Sequence, residues 1–304
     1  MAATLPVHTD DRGTPDNNDR NPQDAPVYVN PHKQDAPVVV LNRDLLESLD
    51  ATLDGLELDG VAGVVLASAS EKVFVAGADL KAVQDLSDAD LHEYLEFGAT
   101  VYAKLHQMPV WTAAAINGAA LGGGLELAMH CDGLIGAPGA KPYPIGLPEA
   151  GLAICPGWGG TNLLPARIEP GNAIRQTAAG APMKYPDAAD AGLFDLIAQD
   201  ATPPSAGLRS LAADWIRGQG APPTRDGAPH RWIGRNAEPV REALASVKDD
   251  LGDTGPAKAV ADAVGVGLER GWAASLQCER DHLVRLRHEP AGRAAIEAFF
   301  NKGK

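Results

Sequence analysis

Three short segments carry residue types that could act on a bound molecule. The first is Ala76-Gly77-Ala78-Asp79. Small residues at a strand-to-helix turn let a ligand approach the backbone and leave an N–H free to point at it. An ordinary turn with Asp79 capping a helix would read the same way. The second is Gly122-Gly123-Gly124-Leu125-Glu126. Glycine costs a helix interior roughly 1 kcal/mol against alanine, so a run of three at a helix start points to close backbone approach or tight packing. Free N–H groups there, with the helix dipole, would stabilise a developing negative charge. Glu126 sits about one turn inside that helix. It reads either as a dipole-matched acid on the surface or as an acid held for a task in a helix that is apolar nearly all round. The third is Ile145-Gly146-Leu147-Pro148-Glu149, followed by Pro156-Gly157-Trp158-Gly159-Gly160-Thr161. Glu149 follows a proline in a loop just past a predicted strand, where it reads as a helix-start acid in solvent. The glycine run resembles a phosphate loop but lacks its Lys-Ser/Thr ending, and a tight turn packed on the Gly122–Gly124 helix fits equally well.

The elements that must position these groups alternate in type. Val38–Leu41 and Gly63–Ser68 read as short buried strands, 110–116 as a third and 133–137 as a fourth. Between the first two, Asn42 caps a helix whose Leu45, Leu46, Leu49, Leu53 and Leu56 form one apolar face. Residues 88–107 read as helix. Strands alternating with helices predict an α/β fold with a parallel sheet. The first 25 or so residues are polar and rich in Pro and Asp, and are expected to be disordered. Residues 219–238 mix Pro, Gly and charge without periodicity and read as a loop; from about 239 the chain reads as helix.

Composition narrows the function classes. The 304-residue chain carries a net charge of −14, the opposite of a nucleic-acid-binding surface. Helix N-termini and local lysines could still hold an anionic ligand. Its three cysteines, Cys131, Cys155 and Cys278, form neither a metal spacing nor a disulfide framework, which points to a reducing, cytoplasmic setting. The N-terminus does not read as a secretory signal, and no apolar run reaches the roughly 18 residues of a membrane span. His130, inside the apolar helix, reads as a core residue, and no metal is expected. Gly265-Val266-Gly267 with Gly271 has the wrong spacing and flanks for a dinucleotide loop, which argues against a nicotinamide dehydrogenase.

In order and spacing the three segments together resemble the crotonase (enoyl-CoA hydratase/isomerase) superfamily. The resemblance runs from about residue 36 to 200. It rests on VFVAGADLK, AAINGAALGGGLELAMHCD and IGLPEAGLAICPGWGGT, with AADAGLFDLI at 188–197 and a family-like C-terminal stretch from Ser275. Those variants are most similar to the hydratase half of bifunctional fatty-acid oxidation proteins. The resemblance implies a ββα spiral core at 26–200 followed by a C-terminal helical region at 201–304. It implies enoyl-CoA hydratase activity on an acyl-CoA substrate, with no cofactor, in a homotrimer or hexamer. Ala78 and Gly123 match the two backbone donors of its oxyanion hole, and Glu126 and Glu149 its two catalytic carboxylates. Ala76, Gly77, Asp79, Gly122, Pro148 and Gly157 match positions around the substrate. Asn162 and Leu163 depart from the Gln-Arg of many hydratases. An isomerase on the same scaffold usually manages with one carboxylate, and a non-catalytic member would be expected to lack both. Lys33, Lys72 and Lys81 flank the segments that would meet CoA.

Overall fold

The structure, a computed structural model, describes residues 7–9, 27–29, 39–68, 70, 72–199 and 205–301. Its strands are β1 (Val7–Thr9), β2 (Val27–Val29), β3 (Gly63–Ala67), β4 (Val73–Val75), β5 (Trp111–Ile116), β6 (Ala119–Leu121), β7 (Gly133–Gly136), β8 (Pro144–Gly146), β9 (Met183–Lys184) and β10 (Leu196–Ile197). Its helices are α1 (Arg43–Asp54), α2 (Leu80–Asp85), α3 (Asp88–Gln107), α4 (Gly123–Met129), α5 (Gly160–Leu163), α6 (Pro170–Ala179), α7 (Tyr185–Asp190), α8 (Ser205–Arg217), α9 (Ala237–Val247), α10 (Gly255–Arg270), α11 (Trp272–Leu286) and α12 (Pro290–Asn301).

Two strands followed by helix recur three times. β3, β5 and β7 lie side by side and parallel in a six-stranded sheet of order β1-β2-β3-β5-β7-β10. Their successors β4, β6 and β8 lie in a second sheet of order β4-β6-β8-β9. Because β4, β6 and β8 run parallel, each turn of this spiral finishes at the same end of the second sheet, and from that end the functional loops leave.

The apolar runs noted in the sequence follow from burial on both faces of the first sheet. Val64, Leu66, Ala114, Ile116 and Leu134 face the main core. The alternating Val65, Ala67, Ala113, Ala115 and Ile135 meet Leu208, Ala212, Ala213 and Ile216 of α8. Asn42 caps α1 as expected, its Oδ1 accepting from Leu45 N at 2.9 Å.

Two expectations need correction. Of the strand expected at 38–41, Val38 lies outside the described residues, Val39 and Val40 are in no strand, and Leu41 forms an isolated parallel bridge with Ala78. Asn42 turns the chain into α1 immediately afterwards, so the extended piece is too short to join a sheet. It braces the 76–79 turn instead. The stretch expected to be disordered contributes strand β1, which pairs antiparallel with the open edge of β2. β-branched ends in Val-His-Thr suit such a strand. The other residues of 1–25 lie outside the described ones.

Candidate functional site

Ala76–Asp79 leaves β4, and Gly122–Glu126 leaves its parallel neighbour β6 at the same end. Ala76 N donates to Val39 O (2.8 Å), Leu41 N to Gly77 O (2.9 Å) and Asp79 N to Leu41 O (3.3 Å). In a parallel bridge of this pattern the central residue's own N–H points away from its partner, so the Ala78 amide faces away from Leu41. Gly77, at φ +116°, presses against the Leu121 carbonyl. Asp79 does cap α2, accepting from Lys81 N at 2.9 Å. Gly123 is the first residue of α4, where the amide has no intrahelical acceptor. Its carbonyl is fixed by Tyr102 Oη at 2.9 Å.

The three glycines are a packing necessity. A Cβ on Gly122, which has φ +51°, would lie 2.5 Å from Glu149 Oε1. One on Gly123 would lie 2.4 Å from the Trp158 indole, and one on Gly124 2.3 Å from Val75 O. The turn thus brings backbone, indole and carboxylate together at a distance no side chain allows.

Glu126 is buried, which removes the surface reading. Its Oε1 accepts from Trp158 N and Gly160 N, both at 2.8 Å. Burial pushes its carboxyl well above the ordinary range; the charges of Glu279 and Glu149 add to this, and the Gly160 and Trp158 amides oppose it. Glu149 opens the 3-10 turn Glu149–Leu152. Its Oε2 is enclosed with no hydrogen-bond partner among the described residues. Burial pushes this carboxyl up to about 8. Pro148 precedes it, with its carbonyl accepting from Gly151 N at 2.9 Å. Gly157 packs between Leu95 and Leu283 beneath the loop. Asn162 and Leu163 are buried; Asn162 Nδ2 donates to Ala263 O of α10 at 3.1 Å.

A third buried carboxylate was not among the expected residues. Glu279 on α11 accepts from Gly159 N (2.5 Å), from Thr161 N (2.9 Å) and from the Thr161 hydroxyl. A signal for it was present: Glu279 interrupts the buried stripe Trp272, Ser275, Leu283 and Leu286 at helical spacing.

Glu149 also sets a pH dependence of stability. A carboxyl whose folded pKa is raised favours the folded state less as pH climbs from its unfolded value of about 4.5 to about 8. Wild type should therefore lose melting temperature between about pH 5 and about pH 9, and Glu149→Gln should lose less. Parallel thermal melts of the two proteins check this; equal slopes would remove the inference.

Elsewhere, Asp262, Cys278 and His282 hold ligand atoms within 4.8 Å of one another on α10 and α11. Arg285 Nη2 faces His282 Nδ1 at 3.1 Å, which puts the ring proton on Nε2, aimed at Asp262 Oδ2 at 2.7 Å. That is a hydrogen-bond network rather than an open ligand set. Lys72 and Lys81 are exposed, and Lys33 lies outside the described residues.

Residues 32–218 match the family described as Enoyl-CoA hydratase/isomerase. The chain is 41% identical over 150 residues to a crotonyl-CoA hydratase of Syntrophomonas wolfei, an alignment spanning 49% of this chain and 55% of that protein. It is 36% identical over 178 residues to a probable enoyl-CoA hydratase of Bacillus subtilis, spanning 58% and 68%. The chain therefore spans between about half and two thirds of the length of these curated relatives. The crystal structure of an enoyl-CoA hydratase from Bacillus anthracis superposes with a TM-score of 0.56 at 28% identity, covering 91% of this chain and 92% of that one. With a family match over more than half its length and two strands and a helix recurring around the loops that bear Glu126 and Glu149, the chain belongs to the enoyl-CoA hydratase/isomerase family.

Proposed function

We propose that this protein adds water across the 2,3 double bond of a 2-enoyl-CoA thioester, giving a 3-hydroxyacyl-CoA. The observation that carries the reading is the pair of buried carboxylates on either side of the Gly122 turn, held in unlike ways. Glu126 is anchored by two amides that oppose the upward push of burial on its carboxyl, a support Glu149 Oε2 lacks, and this difference assigns Glu126 the part of base. Glu149 lacks a donor at Oε2, and burial holds its proton near neutral pH, which suits an acid.

Water attacks Cβ while Glu126 takes its proton. Electron density shifts through Cα to the thioester oxygen, which the Ala78 and Gly123 amides receive. Glu149 gives its proton to Cα. Water has then added in full, and the carboxyls recover their starting states by exchange with solvent. Losing one backbone donor of this kind typically costs about 3–4 kcal/mol of barrier. Binding of the CoA arm positions the acyl end. The chemistry needs no cofactor beyond the CoA of the substrate.

The curated relatives named as hydratases support this reading, as does the retention of both acids, which an isomerase does not need. We also assign the protein to the cytoplasm, as a homotrimer or hexamer. Among the described residues no helix is long and apolar enough to cross a membrane, and light scattering would give the assembly. A panel of 2-enoyl-CoA esters of rising chain length tests the function. The expected result is 3-hydroxyacyl-CoA from at least one ester. Isomerisation of a 3-enoyl-CoA with no hydration of any ester would replace it.

A further inference from the structure

Four successive amides of the Trp158–Thr161 loop alternate between two carboxylates: Trp158 and Gly160 donate to Glu126, Gly159 and Thr161 to Glu279. A chain that alternates in this way is clamped from both sides. Two glycines in the loop, with Gly159 at φ +99°, leave it little intrinsic stiffness. Without Glu279, two buried amides and a hydroxyl would lose their acceptor. The glutamate itself is held rigidly. α11 packs against α3 and α10, Trp272 lies against Gly159, and Cys155 Sγ donates to Glu279 O at 3.4 Å.

We propose that Glu279 is a positioning residue of the hydration reaction, a reading that rests on the function proposed above. Its carboxylate holds the loop in the register that aims Trp158 N and Gly160 N at Glu126, and its negative charge keeps a proton on the acid pair. Burial raises the Glu279 carboxyl, three donors and the neighbouring Arg280 oppose that rise, and the charge of Glu279 in turn raises Glu126 and Glu149. The groups facing Glu126 are Glu279 from α11, Glu149 from the 3-10 turn and Tyr102 from α3. Those facing Glu279 include Arg280 on its own helix and Cys155 and Cys278. Through Glu279 the C-terminal helical region thereby takes part in the reaction.

The test is Glu279→Gln, with Thr161→Val and Thr161→Ser alongside. Glu279→Gln should lower kcat for an accepted 2-enoyl-CoA by about 10²-fold, the scale of a small misplacement of a catalytic group, with KM little changed. Removing a negative neighbour favours ionisation of Glu126 and Glu149, so the pH profile of kcat should move to lower pH. Thr161→Val, which weakens the stabilisation of ionised Glu279, should move it the same way by less, and keeps the test open if Glu279→Gln fails to fold. Thr161→Ser, which keeps the hydroxyl, should match wild type. Titration of the Glu126 carboxyl by carbon-13 NMR reads the same displacement without turnover. A chain inactive on every ester would thus end the hydratase reading and leave this readout standing. An unmoved pH profile and an unmoved Glu126 titration in both Glu279→Gln and Thr161→Val, whatever the melting temperature, would overturn the proposal.

Discussion

Glu126→Gln and Glu149→Gln each lower kcat for crotonyl-CoA hydration by about 10²–10⁴-fold, the usual worth of a positioned general acid or base. The two losses arise differently. In Glu126→Gln the new side-chain amide can still present an oxygen to the Trp158 and Gly160 amides, which in wild type meet Glu126 Oε1 at 2.8 Å, so the loop keeps its acceptor and the loss is of basicity. Glu149→Gln puts an amide beside Gly122, in the space a Cβ there would otherwise contest, and since an amide is no acid the loss is of a transferable proton. Because both acids serve one addition, the double variant should fall little below the worse single one. Steady-state kinetics on the three proteins, with melting curves to confirm folding, make the comparison. Near-wild-type rates in both single variants would end the two-carboxylate mechanism.

Arg225→Met destabilises the protein by about 3–5 kcal/mol, the cost of leaving a buried charge without its partner. Asp132 ends the segment that carries Glu126 and is buried. Its Oδ1 accepts from Arg225 Nη1 at 2.7 Å and its Oδ2 from Arg225 Nη2 at 2.9 Å. Arg225 also donates to Met108 O (2.8 Å) and Val110 O (2.9 Å), so one guanidinium from the 219–238 loop ties α4's end to the approach to β5. Asp132 Oδ2 further accepts from Thr112 N and its hydroxyl. A melting temperature lower by roughly 10 °C is expected at this chain length. Adding Asp132→Asn should restore part of it, since the uncompensated charge is then gone and the Thr112 bonds can persist. Calorimetry on both variants decides; an Arg225→Met protein as stable as wild type would show the loop to be dispensable.

These outcomes divide along the range of the interactions concerned. The sequence alone determined what depends on near neighbours. Asn42 caps α1 because its side chain reaches an amide three residues on, Gly63–Ala67 is a buried strand because its run is unbroken and apolar, and a helix begins at Gly123 after a turn only glycine allows. The family motifs placed Glu126 and Glu149 as acids worth watching. Only the tertiary structure decided what those acids face. Glu279 reaches its loop across 118 and 120 residues, and Arg225 reaches Asp132 across 93. Val39–Leu41, a strand by composition, became a brace because its partner is the 76–79 turn. A buried charge is stable only where its partners converge, and that convergence belongs to the packed chain rather than to any local stretch of it.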